Sequence, residues 1–198
     1  MFNEKWAFCW CDYETTGVDM CDLPIELGMI FTDHNLEIID EFGGFIHWPV
    51  IQDHFRKQLI NNEELSWVSD KWGDGHKYHK IDPVEYLQST DSKYVTHWAE
   101  TIVNYTNKLK KERNLDRIIL ISDNAFFETT HTKLICMTCS NLEFPFHYCT
   151  WDTSYFLEIL GIGDPDNSPH RALDDVRLLL DHVKTANKLL NDYKNWRA

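Results

Sequence analysis

The chain has 198 residues and a formal net charge of −13, a length that fits one sizeable domain with its own core and leaves little room for a second. So acidic a chain is a poor grip for long duplexes, whose phosphates are normally neutralised by Lys and Arg, but it is compatible with a carboxylate-rich cation site. No apolar run approaches the roughly 20 residues that cross a bilayer, and no basic n-region precedes a long apolar segment as in a signal peptide.

Residues 6–11, Trp-Ala-Phe-Cys-Trp-Cys, contain no polar side chain and read as a strand buried on both faces. Residues 25–31 form a second strand. Turn chemistry follows at Thr32-Asp33-His34-Asn35, and residues 36–48 resume as a third strand with Gly43-Gly44 marking a bend. Short turns make these three strands an antiparallel meander. Residues 49–92 are the least regular part, long for a connection and therefore a candidate binding loop or lid. Within them, Lys71 to Lys80 mixes Gly, aromatics and cations. Trp72, Lys77 and Tyr78 are its candidates for nucleic-acid contact, by stacking on bases and by meeting phosphates.

Residues 92–113 are helical, with Val95, Trp98, Ile102, Tyr105 and Leu109 forming one apolar stripe. Residues 117–121 form a buried strand, 125–139 a helix, 148–151 a short strand, and Asp152 caps a helix through Leu160 that Gly161 stops. Ser168-Pro169 opens a last helix to about Tyr193. The order β-β-β-α-β-α-β-α is that of a single α/β domain with a mixed five-stranded sheet flanked by helices. The cysteines at 9, 11, 21, 136, 139 and 149 read as reduced thiols of a cytoplasmic protein. A zinc site from Cys136-x2-Cys139 with His147-x-Cys149 is disfavoured, because the second pair is too tightly spaced for the common finger patterns.

Three acidic segments carry the chemistry. Asp12 and Glu14 follow the first strand, one residue apart, and in extended chain i and i+2 point to the same side. Two close carboxylates repel each other unless a cation sits between them. The second segment is Ser122-Asp123-Asn124-Ala125-Phe126-Phe127-Glu128, and the third is His170-Arg171-Ala172-Leu173-Asp174-Asp175. At 100° per residue, Ala172, Val176, Leu179, Val183 and Leu190 share the core face of the last helix. Asp175 falls near that face and looks inward, whereas Asp174 falls opposite it. His97 and His182 read as surface residues, and Leu178 and Leu189, off the stripe, leave room for a homodimer contact.

Asp-x-Glu-Thr-Thr-Gly after a buried strand, Asn-x2-aromatic-acid after a later one, and His-x-Ala-Leu-x-Asp at the last helix resemble the DEDDh class of DnaQ-like 3′–5′ exonucleases. The Ser-Asp-Asn wording is similar to bacterial and phage exoribonuclease-like members. The resemblance implies an RNase H-like fold and a single exonuclease domain over 1–198, with 49–92 as a substrate-side insertion or lid. It also implies two divalent cations, Mg²⁺ or Mn²⁺, bridged by Asp12. Glu14 and Asp175 would hold the first, and the second-motif acid the other. His170 would be the general base, while Thr15, Thr16 and Asn124 would contact the 3′-terminal nucleotide. Counting from Asn124, the family's Asp falls on Glu128, one methylene longer, with Asp123 as the alternate ligand. The expected activity is metal-dependent release of nucleoside 5′-monophosphates from single-stranded DNA or RNA 3′ ends. The alternative is a nucleic-acid-binding module that keeps the fold with weakened metal binding.

Overall fold

A computed structural model describes residues 2–15, 23–51, 86, 88–89, 93–139, 141–163 and 171–197. Its elements are β1 (Trp6–Thr15), β2 (Pro24–Thr32), β3 (Ile38–His47), β4 (Lys93–Tyr94), α1 (Val95–Glu112), β5 (Arg117–Ser122), α2 (Ala125–Met137), β6 (Trp151–Asp152), α3 (Ser154–Ile159) and α4 (Ala172–Arg197). The strands form one sheet in the order β4-β3-β2-β1-β5-β6. β1, β2 and β3 are the expected antiparallel meander, while β5 runs parallel to β1 and β6 parallel to β5.

Among the described residues the sheet has six strands rather than five. Lys93-Tyr94, expected to be helical, pairs in parallel with Ile46-His47 before α1 begins. The last strand is Trp151–Asp152 rather than 148–151, because only there does the chain reach Ile121 and Ser122, and Tyr148 is 90% exposed. α4 is described from Ala172 and continues to Arg197, past the expected end.

β1 is central and feeds two cores, which explains its unbroken apolar run. Ala7, Cys9, Cys11 and Tyr13 face α1 and α2, meeting Trp98, Ile102, Ile135 and Cys136. Phe8 and Trp10 face α4, meeting Val176 and Leu180. The Trp10 indole is satisfied inside the core by donating to Thr32 Oγ1 at 3.0 Å. On α1, Val95, Trp98, Ile102 and Leu109 are buried and Tyr105 packs beside them, as the stripe requires. Leu190, assigned to the core stripe of α4, is instead 37% exposed.

Two described residues of the 49–92 segment are seated in the core. Ile51 and Tyr86 pack with Ile25 and Phe45, and the Tyr86 hydroxyl donates to the Ile46 carbonyl at 2.7 Å. Trp72, Lys77 and Tyr78 lie outside the described residues. Cys9, Cys11, Cys136, Cys139 and Cys149 are free thiols. Among the described residues they form no cluster of metal-ligand atoms, and no helix is long and apolar enough to cross a membrane.

Candidate metal centre

The site is made by a difference in strand length. β1 pairs with β5 only as far as Trp10 opposite Ile121, but with β2 as far as Thr15 opposite Pro24. Asp12 and Glu14 are therefore inside β1, not beyond its end as the polar residues indicated. They lie past the carboxyl end of β5, where open α/β sheets form a crevice. Side-chain alternation puts both on the α4 side with Trp10.

Opposite them on β2 stand Gly28, facing Asp12, and Glu26, facing Glu14. Gly28 lets the start of α4 touch the sheet backbone, since a Cβ there would lie 2.5 Å from the Ala172 carbonyl carbon. That approach brings in Asp175, whose Oδ2 accepts the Arg171 backbone N–H at 2.9 Å. Asp174 points away, exposed and paired with Arg177 at 2.9 Å, in keeping with the helical phase. The Arg171 side chain binds Glu26.

From the other side, β5 ends and the chain turns through Asp123 into α2. Asn124 caps that helix, its Oδ1 accepting the Phe127 N–H at 3.3 Å. Asp152 at the end of β6 accepts the Ala125 N–H at 3.2 Å. The Tyr13 and Thr132 hydroxyls, 2.8 Å apart, tie the helix to β1. These ties aim Glu128, in the first turn of α2, at the crevice.

Two sets of ligand atoms result, each within 4.8 Å of one another: Asp12, Glu14 and Asp175 form one, and Asp12, Asp123 and Glu128 the other. Asp12 belongs to both. The second set contains both candidate acids of the second motif rather than one of them. Burial pushes the Asp12 carboxyl well above its ordinary range, and the charges of Glu14, Asp123 and Asp175 push it further, against the Tyr13 N–H. Glu128 is also held well above the carboxylate range, first by burial and then by Asp12, Asp123 and Glu14. Asp123 is raised chiefly by burial. Burial raises Glu26 as well, and Arg171 offsets only part of it.

Such crowding is what a hard divalent cation relieves, and carboxylate oxygens are the donors it takes. The fit is supported by Glu128, 3% exposed, whose Oε2 is buried without a hydrogen-bond partner among the described residues. A carboxylate oxygen so placed is stable in its ionised form only beside a counter-ion. Thr15, also buried, adjoins Glu14 in β1, and Asn124 is exposed at the crevice mouth. Thr16 and His170 lie outside the described residues. Beside the carboxylates runs a cleft of about 500 Å³, lined by Asp123, Leu157, Ile162, Asp175, Leu179 and His182. His182 is thus half-buried next to the site and not a plain surface residue.

Several supporting residues escaped the sequence reading: Glu26, Gly28, Tyr13 and Thr132, while Asp152 was read only as a helix cap and also accepts the Ala125 N–H. A signal for two of them was present. Glu26 is a lone charge, and Gly28 a lone glycine, inside the apolar strand Ile25 to Phe31, where each calls for a specific partner or a close approach.

No protein-family model and no curated protein sequence matches the chain. Solved structures do match it. A zinc-bound form of E. coli exonuclease I with single-stranded DNA superposes with a TM-score of 0.62 at 18% identity, over 94% of this chain and 42% of that one. E. coli exonuclease I with a 5cy-dA13 oligonucleotide gives 0.60 at 19% identity, over 94% and 42%. An apo form of exonuclease I gives 0.56 at 18%, over 94% and 44%. The chain spans less than half the length of these structures. At this identity the likeness establishes the fold: the mixed sheet with its flanking helices is RNase H-like.

Proposed function

We propose that the chain is a metal-dependent 3′–5′ exonuclease that hydrolyses single-stranded DNA or RNA ends to nucleoside 5′-monophosphates. The observation that carries this reading is the membership of Asp12 in two carboxylate sets at once. A residue so shared is what a pair of cations acting on one phosphodiester requires. The ordered motifs support the reading, as does the likeness in fold to exonuclease I, solved with single-stranded DNA. The net charge of −13 favours short or single-stranded substrates, because few phosphates can be neutralised.

Asp12, Glu14 and Asp175 would hold one ion, Mg²⁺ or Mn²⁺, and Asp12, Glu128 and Asp123 the other. When bound, such ions stabilise charge on the attacking and leaving oxygens of the phosphodiester. The carboxylates bind and fix that charge centre, and the ties on α2 and α4 keep them from spreading apart. His170 is the sequence's candidate to take the proton of the attacking water, since an imidazole is suited to this at neutral pH. Thr15, Thr16 and Asn124 are the candidates for contacts to the terminal nucleotide, with Trp72, Lys77 and Tyr78 for the strand behind it.

The test is Mg²⁺-dependent shortening of 5′-labelled single-stranded oligonucleotides, matched in DNA and RNA. Asp12→Ala and Asp175→Ala are expected to abolish it, and Asp174→Ala to leave it within about twofold, as for a surface residue away from the site. Equal loss in all three would remove the assignment of Asp175. Calorimetric titration with Mn²⁺ is expected to find two ions. Binding of oligonucleotide without any carboxylate-dependent ion binding would point instead to a non-catalytic nucleic-acid-binding module.

A further inference from the structure

We infer that Glu26 and Arg171 are positioning residues that fix the carboxylate of Asp175, and through it the Asp12–Glu14–Asp175 cation site. The inference rests on reading that cluster as a cation site. Glu26 is the charged residue of an otherwise apolar strand core, its side chain only 7% exposed. Register places it opposite Glu14, on the α4 side of the sheet. Both of its oxygens meet the Arg171 fork: Nε lies 3.1 Å from Oε1 and 3.2 Å from Oε2, and Nη2 lies 3.0 Å from Oε1. The Ala172 N–H also reaches Oε2 at 3.5 Å. The guanidinium lies over the Phe45 ring, 5.4 Å from its centroid.

The same residue then acts through its backbone. The Arg171 N–H donates to Asp175 Oδ2 at 2.9 Å, and the Arg171 carbonyl accepts the Asp175 N–H at 2.9 Å. The side chain is thus fastened to the sheet while the main chain orients the carboxylate four residues on. Gly28 beneath Ala172 supplies the seat, leaving no room for a side chain between strand and helix. A buried ion pair by itself contributes little net stability. Partners that orient ligating carboxylates, by contrast, commonly control metal affinity. Glu26 and Arg171 therefore act on where Asp175 stands more than on whether the chain folds.

Glu26→Gln and Arg171→Lys test this, the latter keeping the charge but losing the planar fork. In calorimetric Mn²⁺ titrations, each is expected to raise the midpoint of one of two binding steps by about 10–100-fold and leave the other within about twofold. In oligonucleotide digestion the Mg²⁺ requirement should rise in parallel, with turnover restored at saturating metal. Circular dichroism reports whether each variant is folded, and Arg171→Lys, the milder change, keeps the test open if Glu26→Gln is not. Lowered melting temperatures with unchanged Mn²⁺ midpoints would mean a purely structural pair and overturn the inference. Absence of ion binding in the unsubstituted protein is a separate result, which removes the cation reading and the clamp with it.

Discussion

Asp12 is surrounded by Glu14, Asp123, Glu128 and Asp175, so its ionised form is opposed by burial and by neighbours of its own sign. Replacing it with Asn removes one charge at nearly constant shape. The metal-free Asp12→Asn protein should be more stable at neutral pH, because the charge that burial and its acidic neighbours oppose is gone. Oligonucleotide cleavage should be lost at the same time, the usual exchange of stability for function at a strained site. Thermal melting in EDTA beside a cleavage assay checks both halves, and an unchanged or lower melting temperature would mean the carboxylates do not repel as described. Glu128 poses a subtler question of reach. Its helix is fixed by the Asn124 cap and the Tyr13–Thr132 bond, so a shorter side chain cannot be followed inward by the backbone. Glu128→Asp is therefore expected to weaken one Mn²⁺ step by about tenfold, at the lower end of what misplaced ligand shells cost. Titration calorimetry giving equal or tighter binding would show that the extra methylene is not needed.

Contact between α4 and β2 is the element-scale feature on which the site depends. Gly28→Ala would place a Cβ 2.5 Å from backbone atoms of Ala172, so the start of α4 must move. Overpacking of this kind costs about 1–3 kcal/mol, and the shift should carry Asp175 away and depress cleavage more than tenfold. Gly161 offers the contrast, with φ +63° and open space around its Cβ position. Gly161→Ala should cost about 1–2 kcal/mol of backbone strain and leave cleavage largely intact. Melting curves and rates on the pair separate the two mechanisms. This contact also shows what could be read from the chain. The inward turn of Asp175 followed from 100° per residue, because the sheet lies under the first turns of α4. Leu190 obeyed the same arithmetic yet is exposed, since periodicity reports which face is apolar and not how far the partner extends. β4, two residues long, carries no period at all and exists only through pairing with Ile46-His47. The polar step at Asp12 looked like a strand end because apolar character is the signal one reads, whereas pairing with β2 carries β1, still buried, on to Thr15. The carboxylates that the fold gathers were visible in the motifs. The residues that hold them, such as Glu26 and Thr132, become visible only when distant segments meet.

At the scale of the whole molecule, a chain of net charge −13 keeps Asp12, Asp123 and Glu128 close together, and all three are held above their ordinary range. A carboxyl raised in the folded state binds its proton more tightly there than in the unfolded chain. Between the unfolded value near about 4 and the raised folded value, the folded state holds more protons, so its stability falls as pH rises. The penalty is fully present once pH exceeds the folded value, and absent at acid pH where both states are protonated. A divalent cation acts in the opposite sense, because it binds the deprotonated carboxylates and competes with protons. Stabilisation by metal should therefore grow from acid to neutral pH. At 100 times Kd it reaches about 2.7 kcal/mol, or about 5–10 °C in melting temperature for a chain of this length. The measurement is the difference in melting temperature between Mg²⁺ or Mn²⁺ and EDTA at pH 5, 6, 7 and 8, which cancels the background titration of surface groups. The difference should be small at pH 5, rise through pH 7, and collapse in Asp12→Ala. A difference independent of pH, or retained in Asp12→Ala, would place the stabilising ion elsewhere than among these carboxylates.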